Sequence, residues 1–236
     1  MILKAVWKRE MQCYFHTAVG YVFIGIFLLI SSVLFFLTIL RQHSGDLPVF
    51  IGQMSYLWML LSPILTMRLL AEEKQKGTDQ LLMTCPVSLG GIVTGKYLAA
   101  VTVLILTAGA TLVYAGIVAA YGTVYPRELA VNYLGFLLQG CSFAAMDLFL
   151  SGCAGTPVVA ATLSFGANFL VWLIDLMTDQ IQVAWISEGM RFVSLYNRNE
   201  PFLMGQFSWA NLAFSLSFIT LFLAATVYRM EMKRIG

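Results

Sequence analysis

AVGYVFIGIFLLISSVLFFLTIL, residues 18–40, contains no Asp, Glu, Lys or Arg. As one α-helix rising about 1.5 Å per residue, it is long enough to cross the ~30 Å hydrocarbon core of a bilayer. A secretory signal would carry a shorter apolar core of about 7–15 residues and a small-residue cleavage site. No such site precedes Arg41, so the run is expected to stay in the membrane as a span. Working outward, further charge-poor stretches predict spans at about 49–70, 97–122, 129–150, 155–175 and 206–228. None alternates polar and apolar residues with period two, the mark of a membrane β-barrel. The fold class that follows is an all-α integral membrane protein with six transmembrane helices, and residues 1–236 form a single transmembrane domain.

Composition agrees. Of 236 residues, 59% are hydrophobic and 11% charged, against roughly 45–50% and about 25% in an average soluble domain. Fourteen basic and 12 acidic side chains cannot cover the surface of a water-soluble chain of this length. The net charge of +2 gives no argument for nucleic acid as a partner; membrane lipid is the expected surrounding.

The placement of charge is more informative than its sum. Lys4, Lys8 and Arg9 precede the first span; Arg68, Lys74, Lys76 and Lys96 lie between the second and third; Arg229, Lys233 and Arg234 follow the sixth. The other side receives Arg41, Arg127, Arg191 and Arg198. The positive-inside rule therefore predicts that both termini are cytoplasmic, in a multi-pass protein of the bacterial cytoplasmic membrane. In residues 1–17, Leu3, Trp7, Met11 and Tyr14 recur at helical spacing, apart from Lys4, Lys8, Arg9 and Gln12. That pattern predicts an N-terminal interfacial amphipathic helix.

Sites of chemistry are few. Cys13, Cys85, Cys141 and Cys153 form no Cys-x-x-Cys pair, and His16 and His43 fall on opposite sides, so neither metal ligation nor a disulfide is expected. Gly90-Gly91-Ile92-Val93-Thr94-Gly95-Lys96-Tyr97 has phosphate-loop spacing, but Tyr97 stands where Mg²⁺ needs a Ser or Thr hydroxyl. It reads instead as the glycine-containing start of a span with Lys96 snorkelling to the interface. The adjacent Glu72-Glu73 lacks the histidine or arginine partners an intramembrane hydrolase needs. Asp147, between the fourth and fifth spans, is a candidate intramembrane polar site. It precedes Ser151-Gly152-Cys153-Ala154-Gly155-Thr156-Pro157, which reads as a turn, so a position near the cytoplasmic interface is expected.

The densest charge lies in 71–96, expected as a cytoplasmic loop. Gly77 can close the helix leaving the second span, Thr78 can cap a short helix bearing Leu81 and Leu82, and Pro86 ends it. Glu72-Glu73-Lys74-x-x-Gly77-Thr78-x-x-x-Leu82-x-x-x-Pro86-Val87-Ser88, followed by Gly95-Lys96, resembles the signature of permeases of the type-2 ABC exporter superfamily. Ser194-Leu195 and Glu200-Pro201-Phe202-x-x-Gly205 are similar to its gliding-motility and nitrous-oxide-maturation branch, with departures at Gln206 and Ser208.

The resemblance implies an ATP-driven exporter whose permease chain is not itself an enzyme. ATP and magnesium would sit on a separate ABC ATPase dimer, leaving no cofactor in this chain. Glu72, Glu73, Gly77, Thr78, Leu81, Leu82 and Pro86 would couple to that ATPase. A second permease copy or a paralogue would complete the path, with an extracytoplasmic accessory protein as a further partner. Thr156, Ala160, Ser164 and Ala167 form a small-residue stripe suited to helix packing or to a dimer seam. The apolar segment 175–206 reads as partly re-entrant on the outer side. An intramembrane hydrolase and an ion-coupled carrier running without ATP are the alternative classes.

Overall fold

The computed structural model describes residues 2–41, 46–78, 88–178 and 194–235, and these contain helices and no strand. They are α1 (Ile2–His16), α2 (Ala18–Phe35), a π-helical continuation of α2 (Phe36–Leu40), α3 (Leu47–Gln75), α4 (Leu89–Tyr121), α5 (Pro126–Cys153), α6 (Pro157–Thr178), α7 (Leu195–Leu203) and α8 (Trp209–Ile235). Six of them, counting α2 and its continuation as one, are long and apolar enough to cross a membrane.

α3 and α5 pack on each other to form the centre. α6 packs on both members of this pair, α8 on α5 and α4, α4 mainly on α5 and α2, and α2 on α3, while α1 lies across α4 and α2 at one end. Burial follows the same plan: Phe50, Trp58, Leu65, Phe136, Phe143 and Leu148 of the central pair are at most 1% exposed. Trp58 is the packing hub. Phe23, Phe27 and Phe136 meet its ring edge-on at centroid distances of 5.6, 6.0 and 6.5 Å, a geometry the ring quadrupoles favour. Leucine, isoleucine and valine on the outer faces of α2, α4, α6 and α8 stay exposed, as lipid-facing positions do.

Several polar side chains within the bundle bond the backbone or one another. Thr38 in the π-turn donates to Gln53 at 2.8 Å. Tyr114 of α4 joins Ser31 and Ser32 of α2 at 3.2 and 2.7 Å. Pro63 inside α3 has no N–H, so the Met59 carbonyl loses its helical donor. Asn168 of α6 replaces it, donating to that carbonyl at 3.1 Å.

Three expected boundaries shift. α5 continues through Ser151 and Gly152, so the turn to α6 is only Ala154–Thr156. The helix persists because Ser151 Oγ donates to the Met67 carbonyl at 3.1 Å and accepts from the Leu70 and Ala71 amides. Lys74 then caps the α5 end, donating to the Gly152 and Ala154 carbonyls. The loop expected at 71–96 is shorter as well: α3 extends to Gln75 and α4 begins at Leu89. The last span begins at Trp209, after Gly205 turns the chain at φ +70°.

Candidate functional site

The charged end of the bundle is built from α1, the last turns of α3 and the first turns of α4. Gly95 allows α1 to lie close on α4, since a Cβ there would stand 3.0 Å from Val6. Trp7 anchors the contact by donating to Thr102 at 2.9 Å. On the face of α1 that meets protein, Tyr14 donates to the Leu65 carbonyl of α3 at 2.9 Å. Burial, with the Glu10 charge nearby, raises its phenol well above the ordinary tyrosine range. Trp7, Met11, Phe15 and Tyr14 pack against the core, while Lys4, Lys8 and Gln12 are exposed.

At the centre of this end is Lys96, only 1% exposed. Its Nζ lies 2.9 Å from Glu10 and 2.9 Å from Glu73, and donates to the Leu69 carbonyl at 2.6 Å. Arg9 pairs with the same two carboxylates, at 3.0 Å to Glu10 and in close contact with Glu73. Burial alone would lower the Arg9 pKa, but the hydrogen bond to Glu73 and the charges of Glu10 and Glu73 outweigh it and hold the guanidinium above its usual value. Lys96 therefore does not snorkel to water: two carboxylates and a carbonyl supply all three of its donors with partners inside the protein. Nor is residues 90–97 a phosphate loop, because the segment lies within α4.

Glu72 and Glu73, adjacent in sequence, face different ways. Glu72 accepts from Arg68 at 2.6 Å and Lys76 at 2.7 Å, one turn before and one turn after it. Glu73 turns inward to Lys96 and Arg9. The geometry is that of two separate ion-pair groups rather than a carboxylate dyad. Just beyond, Gly77 takes φ +68° and closes α3, its amide reaching the Lys74 carbonyl at 3.1 Å. Thr78 turns back onto α3, with its amide and hydroxyl both donating to the Glu73 carbonyl at 3.0 and 3.2 Å. Leu81, Leu82 and Pro86, with the short helix expected there, lie outside the described residues.

Two cavities open at this end. One, about 570 Å³, lies among α1, α3 and α4 and is lined by Arg9, Glu10, Tyr14, Glu73 and Lys96. The other, about 550 Å³, is a largely apolar groove between α2 and α3. Arg68, Glu72 and Lys76 line both.

Asp147 is enclosed by the bundle. It is fully buried in α5, two turns before the helix ends, and accepts from Ser62 of α3 at 2.6 Å. Asn168 donates to Ser62 at 3.4 Å. The Oδ1 atoms of Asp147 and Asn168 have no hydrogen-bond partner among the described residues. The cluster coincides with the Pro63 interruption of α3. Ser62 thus holds Asp147 inside the bundle, and α5 runs on past it. The small-residue stripe also faces inward: Ala160 and Ser164 are fully buried, and Ala160 packs with Ala71 and Ala154 of this same chain. Thr156 and Ala167 are half-buried beside them.

At the opposite end, α7 inserts Leu195, Asn199 and Phe202 into the bundle. Ser194 caps it by accepting from the Asn197 amide at 3.0 Å, and Asn199 donates to Gln139 of α5 at 2.6 Å. Asp175 at the end of α6 accepts from the Tyr196 amide at 3.2 Å. Of the segment read as re-entrant, residues 179–193 lie outside the described residues.

Sequence reasoning missed Glu10, the hydrogen bond of Tyr14 to α3 and the burial of Lys96. The available signal was one unmatched acid, Glu10, on the otherwise apolar side of the N-terminal helix.

No curated protein matches the chain. The profile of the family described as ABC-2 family transporter protein matches residues 19–228, from the first membrane-crossing helix into the last. With six apolar helices arranged as described, the chain belongs to the ABC-2 family of transporter membrane proteins and is a multi-pass permease subunit of an ABC transporter.

Proposed function

We propose that this chain is the non-catalytic permease subunit of an ATP-driven exporter in the bacterial cytoplasmic membrane. The charged end and both termini face the cytoplasm, with α1 at the membrane interface. An ABC ATPase dimer carrying ATP and magnesium docks on the segment between α3 and α4. A second permease copy or a paralogue completes the path, and an extracytoplasmic accessory protein acts at the α7 end. Ser194-Leu195 and Glu200-Pro201-Phe202-x-x-Gly205 favour the gliding-motility and nitrous-oxide-maturation branch.

The observation that carries this reading is the ion network Arg9–Glu10–Glu73–Lys96. It ties α1, α3 and α4 into one unit one turn before Gly77, so a push on the Gly77–Pro86 segment moves three helices together. Glu73 acts in this scheme as a positioning residue, Glu72 stiffens the last α3 turns, and Gly77 and Thr78 set the direction of the departing chain. Leu81 and Leu82 provide the apolar contact with the ATPase. Replacing both with Asp in the tagged permease is expected to abolish co-purification of the ATPase while the permease remains folded. An unchanged complex would overturn the reading.

A further inference from the structure

We infer that the groove between α2 and α3 is a binding site for one anionic glycerophospholipid of the bilayer, held by its phosphate at Arg68 and Lys76 and by an acyl chain along α2. The groove has the polarity of such a molecule. Along α3 its wall changes from Leu61, Ile64 and Met67 to Arg68, Glu72, Gln75 and Lys76. Along α2 it is apolar throughout, with Val19, Val22, Phe23 and Ile26. Val22, Ile26 and Ile64 are 54%, 45% and 40% exposed, so a chain can enter laterally from the bilayer. The volume, about 550 Å³, falls within the ~300–1,000 Å³ of small-molecule sites.

Charge complementarity fixes the class of headgroup. In the adjoining cavity Arg9 and Lys96 are matched by Glu10 and Glu73. At the junction of the two cavities, Arg68 and Lys76 share the single carboxylate of Glu72. That leaves one positive charge in excess where the apolar wall ends, the level at which a lipid phosphate sits. A phosphodiester carries one negative charge, and the planar guanidinium of Arg68 suits its oxygens. A zwitterionic lipid would bring its own cation to a place that already has one too many. The bound lipid would lie against Glu72 and Lys76 immediately before Gly77, so its presence stiffens the end of α3 that leads into the coupling segment.

The test uses the full chain in detergent micelles without any ATPase, so its outcome is separate from that of the proposed function. Native mass spectrometry compares dioleoyl phosphatidylglycerol with dioleoyl phosphatidylcholine. The wild-type chain is expected to retain one phosphatidylglycerol in preference to phosphatidylcholine. Lys76→Gln should weaken that binding about fivefold, the effect of the ~1 kcal/mol that one basic residue contributes near an anionic lipid. Val22→Trp, which fills the groove and leaves every charge in place, should weaken it at least as much. Equal retention of the two lipids by the wild-type chain, or unchanged phosphatidylglycerol binding in either variant, would overturn the inference.

Discussion

Lys96 and Asp147 are both ionisable residues inside a bundle, and the bundle treats them in opposite ways. Lys96 has two carboxylates and a carbonyl around it. Removing it leaves Glu10 and Glu73 buried with only the half-exposed Arg9 for compensation, and breaking a buried pair in this way costs about 3–5 kcal/mol. Lys96→Met should therefore lower the thermal midpoint strongly, whereas Arg9→Gln, whose side chain is 52% exposed, should cost at most about 1 kcal/mol. Thermal unfolding of the two purified variants checks the order. Asp147 has a hydroxyl donor and no cation among the described residues. Ser62→Ala strips that donor and should destabilise by about 1–3 kcal/mol. Asp147→Asn keeps an acceptor for Ser62 and cannot ionise inside the bundle, so it should leave the midpoint unchanged or higher. A lower midpoint for Asp147→Asn than for Ser62→Ala would contradict this account.

Among the helices, close approach is controlled by glycine. A Cβ on Gly135 of α5 would stand 2.6 Å from Phe202 Cβ and 2.7 Å from Asn199 Oδ1, both on α7. Gly135→Ala should thus push α7 out of its seat, seen as faster hydrogen exchange across 195–203. Gly116→Ala, where nothing lies within 4 Å, serves as the control and should leave exchange unchanged. At the end of α3 the demand is conformational, because Gly77 is at φ +68°. Gly77→Ala should cost on the order of 1 kcal/mol locally. It should loosen the Thr78 turn onto Glu73 and reduce ATPase stimulation by the permease without lowering its yield. The helical spans were legible in the sequence because each needs only a long uncharged run. The seat of α7 was not, because Gly135 and Phe202 are far apart in the chain and neither is unusual for its own element.

For the whole molecule, the placement of ten of the 14 basic residues predicts a cytoplasmic charged end. Cys13 is exposed at that end. In a variant with Cys85, Cys141 and Cys153 replaced by Ser, a membrane-impermeant thiol reagent should label Cys13 in inside-out vesicles and not in right-side-out ones. The opposite pattern would reverse the topology. Two of those ten, Arg9 and Lys96, are joined by the structure to Glu10 and Glu73 in one network. Sequence position alone put Lys4, Arg9 and Lys96 on one side of the membrane; folding divides them, leaving Lys4 exposed and Lys96 buried between acids from α1 and α3. By itself the sequence determined the all-helical class and the six spans, because transfer of apolar surface out of water depends on local composition. Only the tertiary structure decided which charges neutralise one another, that Asp147 is enclosed by protein and where an apolar groove meets an unbalanced cation. Those outcomes depend on distances between helices that are remote in the chain, and electrostatic energy varies with such distances and with burial rather than with order in sequence.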